Sequence, residues 1–100
     1  MEDRSLTELL DTLPDLTADA LARFKTASIE KERIYSKSYL EIKARTAGEK
    51  ITVGEIDALI KTSAEWYSAA MEEIKAESEW TRCTERLMAA KKQAAFRTAY

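Results

Sequence analysis

Apolar positions recur every three or four residues along most of the chain, the spacing of amphipathic helices and not of strands. Leu6, Leu9, Leu10 and Leu13 mark one face of a short first helix over about 5–13. Its start fits a capping box, Ser5-x-x-Glu8. Pro14 is expected to end it, because the residue before a proline is pushed out of the helical region. Thr17 then reads as the cap of a second helix, with Asp19 in a first turn where the dipole favours negative charge.

The second helix is predicted over 17–46, with Leu21, Phe24, Ala27, Ile34, Tyr35, Tyr39 and Ile42 on its apolar face. The stretch Ala47-Gly48-Glu49-Lys50 interrupts it, and Gly48 supplies the left-handed conformation that often ends a helix. Thr52-Val53-Gly54-Glu55 is a further capping box, and neither glycine nor proline follows it. A third helix is therefore predicted over 53–98. One stripe on it comprises Ile56, Ile60, Tyr67, Met71 and Ile74. A second comprises Trp66, Ala69, Ala76, Trp80, Cys83, Leu87, Ala90 and Ala94.

Two long helices joined by a short loop predict an all-α fold: a long antiparallel, coiled-coil-like helical hairpin with a short N-terminal helix, one helical domain over residues 1–100. At 1.5 Å per residue the second helix spans ~45 Å and the third ~70 Å. Antiparallel registry puts Ile42 near Ile56, Tyr35 near Ser63 and Phe24 near Ile74, and leaves the chain from Trp80 onward overhanging. A two-helix hairpin has room for one of the two stripes, so self-association is expected. Trp66, Trp80, Leu87 and Met71 are the candidate oligomer interface, with the tryptophans as anchors.

Composition sharpens this picture. Two glycines, one proline, 45% hydrophobic and 34% charged residues belong to long amphipathic helices. A single cysteine allows no internal disulfide and points to a reducing compartment. The opening MEDRSLTELL is acidic, unlike a secretory leader, and no apolar run reaches the ~20 residues of a membrane span. A cytoplasmic protein without membrane association is expected. Histidine is absent, which removes the commonest general base and zinc ligand. There is no glycine-rich phosphate loop, and no serine or cysteine stands beside a recognisable base. Glu72, Glu73, Glu77 and Glu79 are read as a solvated or partner-facing surface in preference to metal ligands. A non-enzymatic protein with no cofactor is expected.

Charge is segregated in blocks although the net charge is only −2. Residues 1–20 hold six acids and one base, and residues 21–50 hold eight bases and four acids. Residues 51–79 hold seven acids and two bases, and residues 80–100 hold five bases and one acid. The hairpin sets the second helix beside the acidic start of the third. The terminal basic block has two readings. It pairs with the acidic first helix, or it presents Arg82, Arg86, Lys91, Lys92 and Arg97 to a polyanion, with Phe96 and Tyr100 available to stack on bases.

The span IYSKSYLEIKARTAGEKITVGEIDALIKTSAEWYSAAMEEIKAESEWTRCTERLMAAKKQAAFRTAY resembles the UvsY-like recombination mediators of T-even-type bacteriophages. The shared features are a tyrosine-rich second helix, a short loop, an aromatic pair at Trp66-Tyr67 and a terminal basic run ending in Phe96-Arg97. The resemblance covers the last two thirds of the chain and includes no catalytic motif. It implies a ring-like homo-oligomer that binds single-stranded DNA, remodels single-strand-binding protein and helps load a RecA-like recombinase. This chain is shorter than the family's and opens on an acidic segment. Lys31, Arg33, Lys37, Lys43 and Arg45 therefore compete with the C-terminal cluster for the DNA-contacting role. The alternative from the apolar stripes is a protein-binding helical adaptor, such as a phage assembly chaperone, an inhibitor or a structural component. A secreted WXG-type hairpin is disfavoured, because the loop lacks its Trp-x-Gly turn.

Overall fold

A computed structural model describes residues 2–98, and the side chains of residues 6–97. It is an all-α helical hairpin with three helices among the described residues: α1 (Glu2–Arg45), α2 (Val53–Lys61) and α3 (Ala64–Thr98). The chain divides into two compact units. One comprises Met1–Phe24 with Lys75–Tyr100, and the other Lys25–Ile74. Residues of paired long helices touch only their opposite numbers, so contacts stay local and separate into units.

The expected short first helix does not stand alone. α1 runs through Pro14 without a break, so Ser5 and Thr17 lie inside it and not at a helix start. The hydroxyl of Thr17 instead donates to the Leu13 carbonyl at 2.6 Å. A proline inside a helix removes one backbone bond and clashes with the preceding turn, at a cost of ~3 kcal/mol. Packing on both sides outweighs that cost. Leu13 is 1% exposed and clusters with Leu6 and Ala90, with Leu9, Leu10, Leu87 and Ala94 against them. Pro14 itself is exposed. Leu6, Leu13, Ala20, Ala27 and Ile34 recur every seventh residue across the proline, which is a coiled-coil seam.

That continuity removes the expected overhang. In the first unit the acidic start of α1 is covered by the basic end of α3. Phe24 stacks on Trp80 with ring centroids 5.7 Å apart, and Arg23 pairs with Glu79 at 3.1 Å. The seam of α3 alternates three and four residues through Ala76, Trp80, Cys83, Leu87, Ala90, Ala94 and Arg97, all buried or half-buried.

The second unit adds α2. Thr52 caps it, accepting from the Glu55 amide at 3.1 Å, and Gly48 holds φ 90° in the preceding turn, as the sequence predicts. The expected continuous third helix is broken at Thr62–Ser63. Hydroxyls satisfy the two ends created there. Thr62 donates to the Ala58 carbonyl at 2.8 Å, and Ser63 donates to the Ile60 carbonyl at 2.6 Å. Ser63 also accepts from the Trp66 amide at 3.3 Å, so it starts α3. The break lets Ile56 and Ile60 turn inward, to 0% and 1% exposure, where each contributes about 2 kcal/mol by burial. They cluster with Ile42, and Tyr35, Tyr39, Ile51 and Trp66 pack against them.

The pairing of Ile42 with Ile56 matches the expected register. Further along it shifts, because α2 folds as its own element and its residues do not count along α1. Phe24 meets Trp80 and not Ile74, and Tyr35 meets Asp57 and not Ser63. Lys31 and Glu73 form a half-buried ion pair at 2.7 Å within the seam, and the ammonium lies 6.0 Å from the Trp66 ring centre. A charged layer at one seam position tolerates only one register well.

Candidate nucleic-acid interface

The cations separate into those the fold engages and those it leaves outward. Arg23, Lys31, Arg33 and Lys61 pair with Glu79, Glu73, Glu30 and Asp57 respectively. Lys31 and Arg33, proposed DNA contacts from the sequence, are thus already occupied by carboxylates. Among the described residues, Lys37, Lys43, Arg45, Arg82, Arg86, Lys91 and Lys92 are exposed and make no ion pair.

The C-terminal cluster does not form one track. With the α3 seam on Leu87, Ala90 and Ala94, about 100° per residue places Arg82 and Arg86 on one side of it. They are one turn apart and within ~40° of each other around the helix. Lys91 falls on the opposite side and Lys92 on the outermost face. Arg97 is half-buried at a seam position and engaged by a neighbour. The five side chains therefore resolve into one tight pair, Arg82 and Arg86, and separate cations. Lys37, Lys43 and Arg45 belong to the second unit, near the C-terminal end of α1, where basic residues also favour the helix dipole.

The aromatics divide in the same way. Trp80 is stacked on Phe24, and Trp66 lies against the isoleucine cluster, so both rings are engaged within the chain. Phe96 is largely exposed. Tyr100 lies outside the described residues. Three of the four expected interface residues also turn inward: Trp66, Trp80 and Leu87 fill the intrachain seam, because α1 reaches back far enough to cover them. Met71 remains on the surface, and Tyr67 and Ile74 accompany it.

Glu73 and Asp57 are displaced downward by their partners. Hydrogen bonds from Lys31 and Ser28 hold Glu73 below the ordinary carboxylate range. The Tyr35 hydroxyl, 2.6 Å from Asp57, lowers that carboxyl and is itself raised by the same contact. A general base needs the opposite displacement, toward neutrality. Of the glutamates considered as metal ligands, Glu73 and Glu79 are tied to cations, and no group of three or more ligating side chains occurs among the described residues. Among them no helix is long and apolar enough to cross a membrane.

The sequence reading missed the Lys31–Glu73 layer and the Tyr35–Asp57 bond. Both depend on the break at Thr62–Ser63, whose signal was two adjacent hydroxyl residues that favour caps over helix interiors. No family model, curated protein or solved structure matches the chain.

Proposed function

We propose that the chain is a non-enzymatic accessory protein that self-associates and binds single-stranded DNA, acting in the cytoplasm as UvsY-like recombination mediators do. The observation that carries this reading is the Arg82–Arg86 pair: exposed, one turn apart and free of ion pairs among the described residues. Two guanidiniums at that spacing suit successive phosphates, and single strands bend to meet them. Each copy offers few contacts. Self-association repeats them along one strand and raises avidity through effective concentration. Loading of a RecA-like recombinase onto DNA held by single-strand-binding protein is the activity this reading expects.

The test is fluorescence anisotropy of a labelled oligo(dT) at low salt. The wild type binds, and R82E/R86E weakens binding by more than tenfold. A triple reversal at Lys37, Lys43 and Arg45 has the smaller effect. The opposite order moves the site to α1, and no wild-type binding at low salt removes the proposal.

The second reading, a protein-binding helical adaptor without DNA binding, is favoured by the exposed side chains of Tyr67, Met71 and Ile74. Copurification of one stoichiometric partner, with no affinity for oligonucleotides, selects it.

A further inference from the structure

Glu79 and Arg86 stand seven residues apart on α3, so they fall on nearly one line along the helix, with Arg82 between them. Arg23 reaches this line from α1, where its Nη2 donates to the Glu79 carboxylate at 3.1 Å. Arg23, Glu79, Arg82 and Arg86 all belong to the first unit, and all are exposed. Along the helix axis Glu79 lies ~4.5 Å from Arg82 and ~10 Å from Arg86, a span of a few nucleotides. On the same helices, the charged side chains three or four residues from this group are Lys75, Glu85 and Asp19. Lys75 is engaged by a neighbour. Among the described residues neither Glu85 nor Asp19 forms an ion pair, so of these carboxylates Glu79 is the one that holds an arginine.

We infer that Arg23 is a third phosphate contact of this site and that Glu79 restrains it. A strand lying on Arg82 and Arg86 gains the third contact by taking the guanidinium over from the carboxylate. The inference rests on the single-strand reading above and deepens it, by adding a residue and an internal competitor to the same site. The side chains of Arg23 and Glu79 are 58% and 49% exposed. An ion pair so open to water is held weakly and gives way to a stronger anion. Arginine suits the exchange, because its planar fork of donors fits phosphate as well as carboxylate. Contact with the strand also releases counterions, a gain that the internal pair does not provide.

The test is oligo(dT) anisotropy at low salt, with circular dichroism to confirm that each variant stays helical. Glu79→Gln removes the competitor with little change of shape, and is expected to tighten binding by about threefold. Asp19→Asn and Glu85→Gln remove the same charge nearby without releasing an arginine, so their gains are expected to be smaller. Arg23→Ala is expected to weaken binding and to lower the slope of log affinity against log salt by about 0.7. In the R23A background, E79Q gains no more than the two controls do. An E79Q gain no larger than those of D19N and E85Q overturns the inference. So does a gain that persists in full without Arg23. Either result leaves the Arg82–Arg86 reading intact, because R82E/R86E tests that reading separately. If neither the wild type nor E79Q binds oligo(dT), both fall together.

Discussion

The two units set an acidic helix segment against a basic one, but they fix the alignment by different means. In the first unit the acidic start of α1 faces the basic end of α3, and the fixed points are apolar: Leu13 beside Ala90, and Phe24 stacked on Trp80. In the second the signs are exchanged, and polar groups share the task. Lys31 holds Glu73 within the seam, and Tyr35 donates to Asp57 on α2. Apolar contacts supply most of the free energy in both, while the polar contacts select one register among several that would bury similar area. The block-wise charge of the sequence is thus first a pairing code between helix segments, and only the cations it leaves over are available to a ligand.

The largest test of this contrast is at the isoleucine cluster. Ile56→Ala removes a fully buried side chain and is expected to cost ~2–5 kcal/mol in chemical denaturation. Leu13→Ala in the first unit belongs to the same class, so near-equal losses show that both units depend on apolar burial. Next comes Pro14→Ala. The proline is exposed on a helix whose other face is packed, so alanine is expected to raise stability by up to ~3 kcal/mol. A loss would mean that the proline shapes the first unit in a way the continuous helix does not require. Lys31→Ala is smaller, at about 1 kcal/mol, because the pair is partly reached by solvent. Its clearer signature is register: a cysteine pair placed at Ile34 and Ala69 is expected to cross-link less completely once the charged layer is gone.

The smallest effect is on pH. Glu73 and Asp57 are held below their ordinary values of 4.5 and 3.8 by contacts that favour the carboxylate. Their contribution is therefore complete above those values and declines as pH falls below them toward the lowered ones. Tyr35 is displaced the other way, so its contribution is present below 10.0 and fades as pH rises beyond it. Glu73→Gln is expected to flatten the acid limb of the stability profile. An unchanged limb would exclude the seam pair as its source.

Much of the hairpin was legible in the sequence. Gly48 and Thr52 mark the turn through local backbone chemistry, and the inward stripe from Trp66 to Ala94 is a clear period. Pro14 misled, because its local cost is large and the gain from Leu6, Leu13 and Ala90 is nonlocal. The seven-residue repeat through Leu6, Leu13, Ala20, Ala27 and Ile34 was the available counter-signal. The break at Thr62–Ser63 was hidden for a similar reason. Hydroxyl residues are tolerated inside helices, and only the burial of Ile56 and Ile60 decides that these two end one. Both errors fed the candidate site. With a helix end expected at Pro14, the basic end of α3 had two readings, pairing with the acidic first helix or facing a polyanion, and Trp80 and Leu87 were assigned to an interface between copies. What survives is narrower: Arg82 with Arg86 as the paired cations on one flank of α3, and Met71 with its neighbours on the outer face.

The most direct test of the functional account is the salt dependence of single-strand binding by the wild type and by R82A/R86A. Each phosphate contact on a single strand contributes about 0.7 to the slope of log affinity against log salt. Removing two arginines from every engaged chain is thus expected to lower the slope by ~1.4 or more, along with the affinity. An unchanged slope and affinity in the double variant would contradict it.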